Sequence, residues 1–329
     1  MKPVRTLFVS VSSFALMGAI AHADPALMFD LGGKFDKSFN EAAYNGAERW
    51  KAETGGSYRD IEMQAAAQRV QFARRLAESG SNPVVVMGFQ NAPTLEEVAP
   101  DYPDTSFVLI DAVVDLPNVR SVVFAEHEGS YLVGMLAAMA NETGTISFVG
   151  GMEIPLIANF ACGYAQGAKA VNPDINVIVN YTGDTPAAWN DPVRGGEIAR
   201  AQISQGSDVV FAAAGGTGLG VLQAAEDGGV LSIGVDSNQN HLHPGSVLTS
   251  MLKLVDQAVY DAFMEGPGLE TGVVVMDLAA GGVGYAMDEH NADLISAEMQ
   301  DAVEAAKAAI ISGEVSVHDY RTDSVCPAF

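Results

Sequence analysis

The stretch Asp-Leu-Gly-Gly-Lys-Phe-Asp-Lys-Ser-Phe-Asn at residues 30–40 stands between an apolar run at 26–29 and a helical pattern at 42–50. An apolar run, a glycine-containing loop and a helix in this order are typical of a strand–loop–helix unit. In doubly wound sheets such loops lie at the carboxyl ends of the strands, where ligands bind. We therefore expect residues 30–40 to line a ligand site at the edge of a parallel sheet.

Four residues at the end of this stretch carry specific chemistry. Ser38 and Glu41 have the Ser-x-x-Glu spacing of a capping box, which predicts that Ser38 is the N-cap of the helix. Phe39 supplies an aromatic face and Asn40 an amide that can hydrogen-bond in a plane. This pair suits a flat heterocyclic ligand.

Two other interpretations of the stretch were weighed. Phe39 could instead be an ordinary staple residue that packs on its own helix, and the loop alone leaves that alternative open. Residues 30–41 also begin with Asp and end with Glu, as a calcium-binding loop does. Such a loop needs oxygen ligands at its third and fifth positions and glycine at its sixth, where this chain has Gly32, Lys34 and Phe35. The pattern therefore excludes a calcium loop of this type.

Short apolar runs alternate with amphipathic stretches along most of the chain, which predicts an α/β protein with parallel sheets covered on both faces. A first series of predicted strands ends near residue 124, and a second begins near 145. The same doubly wound plan thus occurs twice. No flexible linker separates the two series, so we expect tight crossovers, near 124–128 and near 249–253. The predicted strands are 26–30, 58–63, 83–88, 106–111 and 119–124, then 145–150, 176–181, 208–213, 231–235 and 246–251.

The N-terminus has the pattern of an export signal. Lys2 and Arg5 precede an apolar core at 7–20, and Ala-His-Ala at 21–23 fits a cleavage site, so the mature chain is expected to begin at Asp24. No cysteine stands directly after the apolar core, where a lipid anchor would be attached. No later apolar run approaches the roughly 18 residues of a membrane span. We expect a soluble periplasmic protein without a lipid anchor. The full chain has a net charge of −24, which argues against a nucleic-acid partner.

The chain contains two cysteines, Cys162 and Cys326. Their even number and the oxidising compartment favour a disulfide between them. The alternative is a buried Cys162 with a free Cys326 on the C-terminal tail.

Several predicted strands end in acceptors or glycines that together form a rim along one edge of the two sheets. The dinucleotide frame that begins at Gly216 ends on Val221 instead of glycine, so this fingerprint fails. His241 and His243 lack a third ligand nearby, and we predict no metal and no cofactor. No nucleophile, base and oxyanion site assemble, which makes an enzyme the less favoured class. The rim residues are Asp30, 88–91, Asp111, 150–151, 183–184, 215–218 and Asp236.

These motifs together resemble the basic membrane protein family of exported substrate-binding proteins, and the closest characterised type is the purine nucleoside receptor of an ABC importer. The resemblance covers nearly the whole mature chain and implies two lobes of the type I periplasmic-binding fold, joined by three crossovers. The resembling segments are 36–40, 107–111, 148–151, 190–192 with 195–197, 214–218, 234–236 and 248–253.

The resemblance also implies a role for each of eight site residues. Phe39 and Trp189 would stack on the two faces of a purine, although Trp189 stands where the family usually has Phe. Asn40 and Asp111 would read the edge of the base, and the remaining four would hold the ribose hydroxyls. A carboxylate accepts hydroxyl protons, and lysine adds a donor. The eight residues are Asp30, Phe39, Asn40, Asp111, Trp189, Gly215, Asp236 and Lys253.

We therefore predict a monomeric periplasmic receptor that closes around a purine nucleoside and presents it to an ABC permease, with no bond broken. One alternative is a receptor for a free purine base or another small ring metabolite. Another, of a different class, is a periplasmic nucleoside hydrolase, which would need an acid/base pair or a metal at the glycosidic bond. The predicted division is 1–23 as signal peptide, 24–125 with about 252–288 as lobe one, and 126–251 with about 289–329 as lobe two.

Overall fold

Two six-stranded sheets form the framework of the computed structural model, which describes residues 23–329. The predicted export signal, apart from its last residue, lies outside the described residues. The strands are β1 (Ala26–Met28), β2 (Arg59–Ile61), β3 (Val84–Val86), β4 (Phe107–Ile110), β5 (Val119–Phe124), β6 (Thr145–Met152), β7 (Asn176–Gly183), β8 (Val209–Ala213), β9 (Leu231–Asp236), β10 (Val247–Lys253), β11 (Gly272–Met276) and β12 (Val283–Tyr285). The helices are α1 (Phe39–Thr54), α2 (Arg69–Glu78), α3 (Ala92–Val98), α4 (Glu126–Ala140), α5 (Pro155–Val171), α6 (Pro192–Ser204), α7 (Gly218–Asp227), α8 (Val255–Glu265) and α9 (Ala297–Ser312).

The sheets have equivalent topologies. The first runs β11-β5-β4-β3-β1-β2 and is parallel throughout. The second runs β12-β10-β9-β8-β6-β7, and only β12 is antiparallel to its neighbour. The predicted α/β fold with two doubly wound parallel-sheet lobes is therefore confirmed.

Continuous apolar sequence explains the central strands. All residues of β3 and β4 are buried, as expected for parallel strands covered by helices on both faces. In the second lobe Tyr164, Phe148 and Phe211 are among the largest fully buried side chains, and their rings pack at centroid distances of 5.3 Å around Phe211. These cores hold the strand ends in fixed positions.

The chain passes between the lobes three times. It crosses from β5 to α4, from β10 to α8, and from β11 to β12, because α4 packs on α5 and α8 packs on α1. The sequence predicts that the first lobe extends to about residue 288, and the structure differs here. β12 pairs with β10 through Lys253 and Val283, which brings 283–285 into the second sheet.

A disulfide joins Cys162 on α5 to Cys326, with a Cα–Cα distance of 5.6 Å. The predicted bridge is confirmed, and the alternative with a free Cys326 is wrong. The bridge holds the C-terminal residues against the second lobe. No helix within 23–329 is long and apolar enough to cross a membrane.

Candidate ligand-binding site

A cleft between the lobes lies at the carboxyl ends of the central strands and has about 600 Å³ of empty space, part of it open to solvent. All eight residues predicted for the site line it, so the structure brings the whole set together. The lining consists of Asp30, Leu31, Asp36, Phe39, Asn40, Gly88, Phe89, Asp111, Leu156, Ile157, Phe160, Trp189, Ala213, Ala214, Gly215, Val235, Asp236 and Lys253.

The side chain of Asp36, rather than that of Ser38, caps α1. Its carboxylate accepts backbone N–H bonds from Ser38 (2.9 Å), Asn40 (3.0 Å) and Glu41 (3.1 Å). Ser38 occupies the N-cap position, as predicted, but the predicted capping box is wrong: Ser38 makes no side-chain cap bond, and Glu41 accepts from the N–H of Lys37 at 3.2 Å. Burial raises the pKa of Asp36 to about 7, although the three N–H donors favour its charged form.

Asn40 fixes the loop that leads into α1. Its Oδ1 accepts from the N–H of Asp30 at 3.1 Å, and its Nδ2 donates to the carbonyls of Asp30 (3.2 Å) and Gly33 (3.1 Å). Both Nδ2 hydrogens are therefore used inside the loop. Any contact of Asn40 with a ligand edge has to use the second lone pair of Oδ1.

Trp189 is seated against glycine. A Cβ atom on Gly151 would lie 2.1 Å from Cζ3 of Trp189, so only glycine allows the ring its present position. The ring also lies beside Gly215, and Leu156, Ile157 and Phe160 add apolar wall. The residue closes a 3₁₀ turn at 186–189. Trp189 and Phe39 thus supply the two aromatic side chains of the cleft that the sequence predicts to stack.

Lys253 is buried among carboxylates and aromatic rings. Its Nζ lies 2.7 Å from the carboxylate of Asp111 and 3.4 Å from Oε1 of Glu126. It also lies 5.3 Å from the centroid of the Phe39 ring. Burial lowers the pKa of Lys253, but the carboxylates of Asp111, Glu126 and Asp236 outweigh this effect and leave its pKa raised. The ammonium group is therefore charged at neutral pH.

Direct contacts between the lobes surround Asp236. Its carboxylate accepts a short hydrogen bond from the hydroxyl of Ser38 in the first lobe. Ser237 donates to the carbonyl of Ser38 at 3.1 Å, and Gln239 donates to the carbonyl of Lys37 at 2.9 Å. Burial raises the pKa of Asp236, while Lys253 and Ser38 act in the opposite direction. The lobes are therefore in contact along this side of the cleft.

Asp30 is oriented by the neighbouring helix. Its Oδ1 lies 3.3 Å from Nη2 of Arg69, which also donates to Gln90 at 2.6 Å. Burial raises the pKa of Asp30, and Arg69 counteracts that shift. The other carboxylate oxygen borders Gly88, where a Cβ atom would lie 2.1 Å away. Asp30 is thus held at the cleft wall by an ion pair and by a close backbone.

Reasoning from sequence missed two acidic residues of this region. Asp36 lines the cleft, and its place two residues before Ser38 is an Asx-turn spacing that could have indicated it. Glu126 begins α4, is fully buried and contacts Lys253. Nothing local marks Glu126, because its partners come from distant parts of the chain.

His243 contacts Glu226 at 2.7 Å, and neither His241 nor His243 belongs to a group of three or more potential metal ligands among the described residues. One group within 23–329 has ligand atoms within 4.8 Å of one another, namely Asp288, Glu289 and His290. It does not line the cleft.

Comparison with known proteins identifies the family. Residues 24–321 match the family model described as "ABC transporter substrate-binding protein PnrA-like", named Bmp. The chain belongs to the Bmp family. It is 34% identical to the ABC transporter nucleoside-binding protein BmpA of Lactococcus lactis subsp. cremoris, over 89% of this chain and 88% of that protein. It is 35% identical to an uncharacterized lipoprotein of Pyrococcus horikoshii, over 79% of this chain and 68% of that protein.

A solved structure supports the architecture. An ABC transporter solute-binding protein from Aeropyrum pernix superimposes with a TM-score of 0.82 and 29% identity, covering 92% of this chain and 95% of that one. This Bmp member is therefore a substrate-binding protein of the ABC transporter type. Because a relative is named a lipoprotein, the predicted absence of a lipid anchor stays a prediction.

Proposed function

We propose that this Bmp protein captures a purine nucleoside in the inter-lobe cleft and delivers it to an ABC permease. One observation carries the proposal. Two aromatic side chains, Phe39 and Trp189, line the same cleft as the Asp111–Lys253 pair and Asp236. A nucleoside needs both halves of this arrangement, since its base stacks on rings and its sugar offers hydroxyl groups to carboxylates. The name of the Lactococcus relative, a nucleoside-binding protein, supports the same ligand class.

The charge of the cleft favours a neutral ligand with many hydroxyl donors over a phosphorylated one. Four carboxylates line it, from Asp30, Asp36, Asp111 and Asp236, and Lys253 is the lining cation. Lys253 is already paired with Asp111. A phosphate would meet like charges without a free cation to bind it, whereas ribose hydroxyls can donate to the carboxylates. A nucleoside is therefore favoured over a nucleotide.

We propose a role for each of the eight residues that line the cleft. Phe39 and Trp189 hold the base, and Asp111 reads its edge together with the Oδ1 atom of Asn40. The sugar lies on the side of Lys253 and receives the remaining contacts, from Asp30, Gly215 and Asp236. Closure of the lobes then shields the ligand from water.

Ligand identity is tested directly on purified protein. The protein is denatured, and released small molecules are analysed by mass spectrometry, with calorimetry of the ligand-stripped protein against inosine, adenosine, hypoxanthine and inosine monophosphate. We expect a purine nucleoside to bind at least 100-fold more tightly than the base or the monophosphate. Tighter binding of hypoxanthine would identify a base receptor instead. Release of free base from inosine during incubation would show a hydrolase.

The proposal includes location and assembly. We propose an unanchored monomeric protein in the periplasm whose mature chain begins at Asp24. Osmotic-shock release, intact mass and light scattering test these three statements. A mass that includes acyl chains would show a lipid anchor.

A further inference from the structure

The C-terminal segment 318–326 lies against the first crossover between the lobes. Arg321 donates from Nη2 to the carbonyl of Phe124 at 3.1 Å, and its Nη1 lies 3.0 Å from Oε2 of Glu126. Further contacts fix the segment on α5. Tyr320 donates its N–H to Asn159 at 2.9 Å, and the disulfide ends it at residue 326. These contacts hold the C-terminal segment in place, and the segment positions Arg321 at the crossover.

Glu126 is the residue that links Arg321 to the cleft. Its side chain is fully buried, and its two oxygens face different cations, Lys253 at 3.4 Å and Arg321 at 3.0 Å. Within the described residues neither oxygen has a hydrogen-bond partner of good geometry. A buried carboxylate is costly unless it is paired, so these two cations provide its compensation. If either cation is lost, the Glu126 carboxylate has only the other cation to neutralise its charge, so its interaction with that cation must change.

We propose that Arg321 is a positioning residue for the ligand site. Arg321 pairs with one oxygen of the Glu126 carboxylate. Lys253 therefore stays paired with Asp111 and faces the cleft. The proposal rests on the proposed function only in taking a nucleoside as the ligand that Lys253 contacts.

Removal of the Arg321 charge has two possible consequences, both measurable. Ionised Glu126 can draw Lys253 away from Asp111, which weakens ligand binding. Alternatively Glu126 takes up a proton, and Lys253 stays where it is. Burial already raises the pKa of Glu126, and Lys253 and Arg321 oppose that rise. Without Arg321 the pKa rises further, so the first consequence operates at high pH and the second at low pH.

The titration of Glu126 can be distinguished from that of the charged groups around it. Lys253 faces it from β10, Asp111 from the end of β4, and Arg321 from the C-terminal segment, where Asp319 also pairs with Arg321. The adjacent His127 is neutral above pH 5, because burial lowers its pKa to about 4. Cleft carboxylates such as Asp36 titrate in every variant, so each affinity is compared with that of the parent protein at the same pH.

The experiment compares Arg321→Gln, Arg321→Lys, Glu126→Gln and the double variant Glu126→Gln/Arg321→Gln. Inosine and adenosine affinities are measured by calorimetry from pH 5.5 to 8.5. We expect Arg321→Gln to weaken binding about 10-fold or more relative to wild type at pH 8.5 and about threefold or less at pH 5.5. Arg321→Lys keeps the charge but loses the bidentate contact with Asp319, so we expect a loss of about threefold at most that does not grow with pH. The double variant compared with Glu126→Gln shows no pH-dependent loss, because the Glu126 carboxylate that competes with Asp111 for Lys253 is absent from both.

A second measurement needs no ligand. Urea unfolding of the same variants over the same pH range should show extra proton uptake by native Arg321→Gln, which the double variant lacks. A loss of affinity that is equal at every pH and equal in Arg321→Lys would overturn the proposal and show a purely structural tail. If wild type binds no nucleoside, the proposed function fails, while the unfolding data still decide the linkage between Arg321 and Glu126.

Discussion

Lys253 and Asp111 join the two lobes by an ion pair of 2.7 Å across the cleft. Lys253 ends β10 in the second sheet, Asp111 follows β4 in the first, and the two side chains are only 2% and 7% exposed. Asp111 has a φ of 75°, and Asp236 at the end of β9 has a φ of 63°. Non-glycine residues rarely adopt this conformation, and such strain is concentrated at functional sites. The backbone therefore places both acids at the cleft at a conformational cost.

The first prediction concerns Asp236. We expect Asp236→Asn to weaken nucleoside binding by about 1–3 kcal/mol and to affect the free base much less, because a charged acceptor for sugar hydroxyls is lost. Asn is chosen because it tolerates positive φ. Calorimetry with inosine and hypoxanthine measures the two effects, and Asp174→Asn on the surface serves as control. Equal losses for both ligands would show that Asp236 does not read the sugar.

The second prediction tests whether glycine at position 151 is needed for the position of the Trp189 ring. Gly151→Ala places a methyl group where the ring now lies, whereas Gly183→Ala leaves 3.6 Å to Ala188. We expect Gly151→Ala to weaken nucleoside binding by about 1–3 kcal/mol, the range of base–aromatic stacking. Gly183→Ala should leave affinity unchanged.

Its decisive control is the double variant. In a Trp189→Ala background the Gly151→Ala change should cost nothing more, because the ring that it displaces is absent. Additive losses in calorimetry would mean that Gly151 acts on the cleft by another route. An unaltered affinity in both Trp189→Ala and Phe39→Ala would remove stacking from the proposed site.

The third prediction is a pH dependence of stability that Asp36 causes. Its pKa is about 7 in the folded protein and near its usual 3.8 when unfolded. Between these values the native state binds more protons than the unfolded state, so the free energy of unfolding contributed by Asp36 falls as pH rises from about 4 to about 7. Urea unfolding at pH 4.5 and 8 should show a smaller difference in Asp36→Asn than in wild type. An identical pH difference in both proteins would contradict the raised pKa.

Much of the fold was predictable because its signals are local. Continuous apolar runs marked β3 and β4, and a parallel sheet aligns strand ends that are far apart in sequence. This alignment explains how Asp30, Asp111 and Asp236 came to one cleft. The eight residues line that cleft as expected, while their contacts with a ligand remain predictions.

The features that could not be predicted from the sequence depend either on competition between two residues for the same role or on contacts between residues that are far apart in the chain. Ser38 and Asp36 both have side chains that can cap α1. In the structure Asp36 makes the cap bonds, and the Ser38 hydroxyl donates to Asp236 of the other lobe. The pairing of Glu126 with Arg321 spans almost 200 residues and has no local pattern. The third crossover was misplaced because only pairing with β10 decides that 283–285 joins the second sheet.

The last prediction concerns closure of the lobes. Gln239 is 2% exposed, and its side-chain amide bonds to both lobes. Its Oε1 accepts from the N–H of Val235 at 2.9 Å in its own lobe, and its Nε2 donates to the carbonyl of Lys37 in the other lobe. Gln239→Glu keeps the acceptor and the shape but sets a carboxylate oxygen against the carbonyl of Lys37. The closed form thereby loses a bond and gains a repulsion, whereas the open form, in which that oxygen reaches water, loses little.

We therefore expect Gln239→Glu to weaken ligand binding by about 1–3 kcal/mol and to enlarge the radius of gyration of the ligand-free protein in small-angle scattering. Gln205→Glu is the matched control, since Gln205 also donates to a backbone carbonyl, that of Ala201 at 3.0 Å, but within one exposed helix end. It should leave affinity and radius of gyration unchanged. If Gln239→Glu bound its ligand as tightly as Gln205→Glu, the amide would serve only to order its own loop. Closure would then have to rest on the remaining bridges, those of Ser38 and Lys253.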